Sequence, residues 1–323
     1  MYKNRIKETR NITKKKEIIN IAVTVDDNYI KPLVVMLTSL FQTNFDNSFN
    51  IYLIHSDLQE INIKRVSNLV HEYGQAIRII KLDDTLFETA TSVAHVTKET
   101  FYRLLLTEIL PNDVDKVLYL DPDIIINGPI TRLYDKRFNG NLAISAQVAA
   151  DDSRWNNEKK RIGIPIKATY FNAGVMLFNI ALMRRSQIFN KDFIIEYVIK
   201  NNKHFTEGDQ SCLNALLWDK VKILNCNIYN YDTRIYYDMK MGGFIKYLFK
   251  YIEEQKKAFK KAIIIHYRGA SKPWHDNYTG KMLKIYWNYE AKTEYKRRNY
   301  INLRIINYYQ NIKETINQTF LDK

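Results

Sequence analysis

Short, nearly continuous apolar runs alternate with segments of helical spacing through the first part of the chain. Ile18–Val25 (IINIAVTV) reads as a buried strand that ends in polar Asp26-Asp27-Asn28-Tyr29. Residues 30–43 carry Leu33, Leu37, Leu40 and Phe41 on one helical face. Phe49–His55 is a second strand, Glu60–Tyr73 a second helix with Gly74 as its cap, and Ala76–Leu82 a third strand. A helix over 97–110, stopped by Pro111, leads to a fourth strand at Lys116–Leu120. Strands that are apolar on both faces, alternating with helices, predict a mostly parallel α/β sheet of the nucleotide-binding kind.

The pattern continues with strands at Asn141–Val148 and Phe171–Asn179, separated by a polar segment over 150–168. Leu182–Lys200 has the spacing of one helix, and 207–218 that of a short one opening with Glu207-Gly208-Asp209-Gln210. Val221–Asn225 is strand-like. Residues 244–261 interleave aromatic and Lys clusters as an amphipathic helix would, and Ala262–Tyr267 is an apolar strand that carries His266. A basic, Tyr-rich tail begins near residue 276.

The stretch Lys116–Asn127 (KVLYLDPDIIIN) carries the most chemistry. Two apolar runs flank Asp121-Pro122-Asp123, so a buried strand delivers two carboxylates to its C-terminal end, the usual ligand edge of such a sheet. Pro122 cannot donate to a ladder, which places the end of regular pairing there. Two carboxylates one residue apart suit one hard divalent cation; they also suit a plain strand-end turn. With 20 Asp in the chain, about one D-x-D arises by chance. A second does occur, Asp113-Val114-Asp115, and its place after Pro111-Asn112 makes it a solvated turn.

Composition narrows the class. The chain of 323 residues is 46% hydrophobic with 10 Gly and 6 Pro, an ordered globular composition. Its two cysteines, Cys212 and Cys226, form no disulfide framework and point to a reducing cytoplasm. The N-terminus lacks the apolar core of a signal peptide, and no apolar run reaches the length of a spanning helix. Neither a phosphate-binding P-loop nor a G-x-G-x-x-G fingerprint is present. Of the net charge of +14, residues 1–16 carry +6 and residues 281–323 carry +5, which leaves +3 for the body. Basic ends on a near-neutral body favour contact with an anionic surface over a basic catalytic groove. That distribution also weighs against a nucleic-acid-binding protein, the alternative suggested by a pI near 9.4 and 23 Tyr. A glycosidase wants its carboxyls on opposite sides of the scissile bond, not crowded at one strand edge.

Five segments in order, Val25-Asp26-Asp27-Asn28-Tyr29, Tyr119-Leu120-Asp121-Pro122-Asp123, Tyr170-Phe171-Asn172-Ala173-Gly174-Val175, Gly208-Asp209-Gln210 with Leu213-Asn214, and His266-Tyr267-Arg268-Gly269 through Lys272-Pro273-Trp274-His275, resemble glycosyltransferase family 8. The resemblance covers residues 18–276. It implies a GT-A type fold, a mixed, mostly parallel central sheet flanked by helices. It divides the chain into a basic flexible lead-in (1–16), a catalytic domain (17–276) and a basic aromatic tail (277–323). It implies a retaining hexosyltransferase that takes glucose or galactose from a UDP-sugar with Mn²⁺ as cofactor, Mg²⁺ being the alternative. Asp121, Asp123 and His266 match the family's metal ligands. Asp26, Asp27 and Asn28 match the base and ribose site, and one of the two acids also suits the N-cap of the next helix. Pro122 belongs to the donor-binding kink, and Gly269 and Lys272 match residues that approach the diphosphate. Arg103 matches an Arg that reaches the donor sugar or diphosphate, its other reading being a surface salt bridge. Asn172, Asp209 and Gln210 match positions around the sugar. The favoured mechanism is same-face displacement through an oxocarbenium-like ion pair, with Gln210 stabilising the positive charge through its carbonyl oxygen; Asp209 as a nucleophile is the rival. Trp274 reads as packing over its loop.

In one place the chain departs from the family. Where relatives often carry an acid after the strand at 141, this sequence has Ser145-Ala146-Gln147, with Asp151 and Asp152 nearby as substitutes. The tail, with Tyr286, Trp287, Tyr289, Tyr295, Tyr300, Tyr308 and Tyr309 among Lys and Arg, suits an anionic membrane surface or packing on the domain. The expected location is the cytoplasm, at the inner face of the cell membrane, with a saccharide acceptor on lipid or protein and no nucleic-acid partner.

Overall fold

A computed structural model describes residues 18–83, 85, 87, 98–149, 152–234, 260–276, 278 and 282–296. The lead-in over 1–16, the amphipathic stretch over 244–259, Asp151 and the tail beyond 296 lie outside the described residues. Ten strands are described: β1 (Ile19–Thr24), β2 (Phe49–His55), β3 (Ala76–Lys81), β4 (Lys116–Leu120), β5 (Ile124–Ile126), β6 (Ala143–Gln147), β7 (Phe171–Asn179), β8 (Val221–Leu224), β9 (Tyr231–Asp232) and β10 (Ile264–His266). Seven form one sheet in the order β3-β2-β1-β4-β7-β6-β8, and three form a small sheet in the order β5-β10-β9.

The large sheet is mixed and mostly parallel, as expected. β1 pairs in parallel with β2 and β4, β2 with β3, and β6 with β8, whereas β7 runs antiparallel to both β4 and β6. The apolar runs are continuous because both faces are covered. Ile19, Ile21 and Val23 of β1 pack with helix α1 (Ile30–Thr43) and helix α2 (Glu60–Glu72). Ala22 faces the other way, into a cluster with Phe101, Tyr102, Leu213 and Leu217.

Helix α1 is buried well beyond its predicted face. Val34, Val35 and Met36 are buried beside Leu33, Leu37, Leu40 and Phe41. Val34 and Met36 join the cluster under the large sheet, and Val35 is covered by the tail. Leu283–Glu290 forms a helix whose Tyr286 and Trp287 pack with Val35, Ile125, Ile265 and Tyr267. Glu290, 1% exposed, meets Lys31 of α1 at 2.8 Å. Arg65 of α2 pairs with Glu294 and covers the Tyr295 ring at 5.7 Å. Residues 282–296 are therefore part of the domain's packing.

Two predicted helices are broken. Leu182–Lys200 consists of Ile180–Arg184, a 3-10 turn at Gln187–Phe189, and Lys191–Asn201. Asn190 turns extended and accepts from Phe193 N at 2.8 Å, capping the last piece. The helix over 97–110 is a helical turn at Lys98–Phe101, a 3-10 turn at Tyr102–Leu105 and a final turn at Leu106–Ile109. The tighter middle directs Arg103 inward, where it is 4% exposed.

Because Trp287 is nearly fully buried (3% exposed), Trp287→Ala is expected to lower the unfolding free energy by about 3–5 kcal/mol. Chemical denaturation measures this; a loss below about 1 kcal/mol would mean that the tail helix contributes nothing to the core.

Candidate active site

The site lies where the chain passes from one sheet to the other. β4 makes its last pair at Leu120 with Val175, and Asp121 N donates to Gly174 O at 2.8 Å. Pro122 has no N–H to continue the ladder. The chain re-enters pairing at Ile124, in the small sheet. There β10 runs antiparallel to β5 with His266 opposite Ile124, and Tyr267 N donates to Asp123 O at 2.9 Å. Two registers thus place Asp121, Asp123 and His266 together, with one donor atom from each within 4.8 Å of the others.

His266 Nε2 is 3.0 Å from Asp123 Oδ1 and 3.7 Å from Asp121 Oδ2. Its Nδ1 lies 2.9 Å from Asn230 Oδ1, the outer contact a metal-binding imidazole ordinarily has. Two carboxylates and one imidazole suit a divalent cation of the Mn²⁺ kind. A Cβ on Gly174 would overlap Asp121 Oδ2 and His266 Cε1, so only glycine leaves room for these ligands. The motif around Gly174 was visible in the sequence; its reason was not.

The carboxylates are held by two buried cations. Arg103 Nη2 is 3.0 Å from Asp121 Oδ1, and its Nε is 2.9 Å from Asp209 Oδ2. Arg103 also donates to Ala173 O and Thr100 O, and its guanidinium lies 4.2 Å from the Tyr119 ring centroid. The surface-salt-bridge reading of Arg103 is excluded by this burial. Tyr119 Oη donates to Asp121 Oδ1 at 3.0 Å. Lys272 Nζ donates to Asp123 Oδ2 at 2.5 Å and to Tyr267 O at 2.9 Å.

Burial opposes the charge on Asp123, but the Lys272 ammonium and His266 outweigh it and hold the carboxyl well below its usual range. Burial likewise opposes the charge on Lys272, and Asp123 outweighs it, so its pKa rises. Asp209 goes the other way. Burial, aided by Asp121, exceeds the opposing pull of Arg103 and pushes it up to about 6.

A pocket beside the carboxylates is lined by Val25, Asp26, Tyr29, Arg103, Asp121 and Asp123. Asp26 caps the 3-10 turn after β1, accepting from Asn28 N at 2.9 Å and Tyr29 N at 3.2 Å. Asp27 turns to the first turn of α2, accepting from Gln59 N and Asn62 Nδ2. Asn28 is exposed. Tyr29, not singled out from the sequence, presents its ring to the pocket and meets Trp274 edge-on at 5.9 Å. Trp274 also meets Tyr286 at 5.8 Å, and in the same loop Gly269 takes φ +86°, where a Cβ would meet Arg234.

The remaining residues meet at the end of β7. Gly208, at φ 57°, lets the chain turn sharply into the helix Asp209–Leu217. Asn214 binds both Phe171 N and Phe171 O at 2.9 Å and so fixes this helix to β7. Asn172 Nδ2 donates to Gln210 Oε1 at 2.7 Å, and Ala173 N donates to the same oxygen at 3.3 Å. The Gln210 oxygen expected to face the sugar is therefore occupied by two donors. Asp152 accepts from Tyr170 N and pairs with Lys159 at 3.0 Å, a structural role. Gln147, at the end of β6, hydrogen-bonds Cys226.

The model of Glycosyl transferase family 8 matches residues 20–278. The chain belongs to this family. General stress protein A of Bacillus subtilis is 26% identical over 290 residues, spanning 87% of this chain and 96% of the relative. A lipopolysaccharide 1,2-glucosyltransferase of Escherichia coli is 25% identical over 268 residues, spanning 81% and 74%. The fold matches that of the galactosyltransferase LgtC, solved with donor and acceptor sugar analogues, at a TM-score of 0.68 and 23% identity, covering 88% of this chain and all of that one. The family member described here is thus a glycosyltransferase of GT-A fold with a candidate Asp-Asp-His metal site.

Gly174→Ala is expected to weaken divalent-cation affinity by at least about tenfold, as loss of ligand orientation does. Titration with Mn²⁺ followed by electron paramagnetic resonance measures it, with a thermal melt to check folding. Unchanged affinity would show that the ligands do not depend on that space.

Proposed function

We propose that the protein is a retaining, metal-dependent hexosyltransferase that moves glucose or galactose from a UDP-sugar to a saccharide acceptor. The observation that carries the reading is the Asp121–Asp123–His266 cluster at the mouth of the pocket that follows β1. The base and ribose would lie along the Tyr29 ring, near Asp26 and Asn28. Asp27 supports that turn through Gln59 and Asn62 rather than touching the base.

Asp121, Asp123 and His266 would hold Mn²⁺, with Mg²⁺ the alternative. When bound, the cation neutralises charge on the departing diphosphate. Lys272 and Gly269 would meet the same diphosphate, Lys272 turning from Asp123 to phosphate oxygens. Arg103 holds Asp121 and Asp209 in place between the diphosphate and the sugar. Asn172, Asp209 and Gln210 surround the sugar. In this reading the anomeric bond breaks through an oxocarbenium-like ion pair. The acceptor hydroxyl enters on the same face and gives its proton to the leaving phosphate. Gln210, its carbonyl oxygen held by Asn172 and Ala173, would stabilise the positive charge, and Asp209, paired with Arg103, is the rival.

The acceptor would be a cell-envelope saccharide carried on lipid or protein. The protein would work at the cytoplasmic face of the membrane, bound peripherally through the part of the basic aromatic tail beyond residue 296, since 282–296 packs on the domain. Among the described residues no helix is long and apolar enough to cross a membrane.

Thermal stabilisation by UDP tests the donor site. With UDP about a hundredfold above its Kd, wild type should gain about 2.7 kcal/mol, mainly in the presence of Mn²⁺. Asp123→Ala should lose that gain. No response of wild type to UDP with Mn²⁺ would sink the reading. Membrane association is tested by co-sedimentation with phosphatidylglycerol vesicles. The chain ended after Lys296 should sediment less than the full chain, and equal sedimentation would remove the membrane role.

A further inference from the structure

Between the candidate cation site and the sugar-side residues runs a directed chain of hydrogen-bonded side chains. Its direction is fixed by the backbone. Gly174 N donates to Asn172 Oδ1 at 3.0 Å, so that atom accepts. The second group at the same oxygen, 2.6 Å away, is the Asn230 amino group. Asn230 therefore turns its own oxygen to His266 Nδ1, at 2.9 Å, and an oxygen there requires a hydrogen on Nδ1. At the far end Ala173 N independently marks Gln210 Oε1 as the acceptor of the Asn172 amide. A flip of any one amide would set two acceptors or two donors face to face in a buried place.

Asn230 is suited to this task by its own setting. It is 3% exposed and stands between the short helix Cys226–Tyr229 and β9. Its N–H donates to Cys226 O at 3.0 Å, and β9 pairs in parallel with β10, Asp232 opposite His266. The backbone that carries Asn230 is thus tied to the strand that carries His266.

We propose that Asn230 is a positioning residue of this active site. It keeps Nδ1–H of His266 turned to the protein and Nε2 turned to Asp121 and Asp123. It also ties that setting to Asn172 and Gln210, so the cation site and the sugar platform share one arrangement. The inference rests on the metal–diphosphate reading above. A cation takes the Nε2 lone pair, and the partner on Nδ1 raises the basicity of the ring and fixes its plane.

The test combines affinity with a spectroscopic signature. Mn²⁺ binding in the presence of UDP is titrated for wild type, Asn230→Ala and Asn230→Asp. Asn230→Ala should bind Mn²⁺ about 10- to 100-fold more weakly, and Asn230→Asp, which still accepts from Nδ1 but sets a second acceptor against Asn172 Oδ1, should lose at least about threefold less than Asn230→Ala. Long-range proton–nitrogen NMR of metal-free wild type in mildly alkaline buffer should show a hydrogen on His266 Nδ1. A change of less than about threefold in Asn230→Ala, an equal loss in Asn230→Asp, or an Nδ1 without hydrogen overturns the inference. If Asn230→Ala does not fold, the wild-type spectrum decides. If wild type binds neither Mn²⁺ nor UDP, the functional reading falls instead, and the Nδ1 hydrogen alone upholds or overturns the positioning role.

Discussion

Asp121, Asp123 and Asp209 are crowded into one largely buried cluster, and the rest of the site answers to their mutual repulsion. Arg103 lies between Asp121 and Asp209, and Lys272 caps Asp123. Three carboxylates against two cations leave a net negative site, which a divalent cation would complete. A buried charge without a partner is costly, so each of these side chains constrains the next. Arg103 itself needs the Ala173 and Thr100 carbonyls and the Tyr119 ring, which ties the cluster to β7, to β4 and to the helical turn at 98–101.

That cluster also explains the irregular elements around it. The 3-10 turn at Tyr102–Leu105 aims Arg103 inward; Gly174 clears space for Asp121 and His266; Gly208 turns the chain so that Asp209 and Gln210 open a helix beneath β7. The 3-10 turn and Gly208 are local departures from regular geometry placed where the polar residues converge, whereas Gly174 acts from within β7 by its missing side chain.

Much of this was legible from residue pattern. The strands β1 to β4 and the two helices between the first three follow from apolar runs and spacing, and Asp121-Pro122-Asp123 announced a kink with a pair of carboxylates at it. Pattern did not reveal that Ile124–Ile126 joins a second sheet, because an apolar run does not name its partner strand. The same limit hid the antiparallel course of β7. Leu182–Lys200 looked like one helix because its apolar spacing continues across a cap at Asn190. Asn230 was missed because an Asn between a short helix and a strand reads as a turn residue; its task is visible only from what its amide touches. For the tail the pattern left membrane contact and packing on the domain both open; Tyr286 and Trp287 are core residues whose partners, Val35 and Ile265, lie far away in sequence.

The pairing of β5 with β10 has a consequence for how the protein matures. Asp123 and Lys272 stand 149 positions apart, and His266 reaches Asp123 only through that late, non-local pairing. Contacts of such long sequence separation form only after a large loop-closure entropy has been overcome. A nascent chain that has emerged only through β7 therefore carries both aspartates but neither His266 nor Lys272. The candidate cation site is thus assembled only once nearly the whole domain has been synthesised.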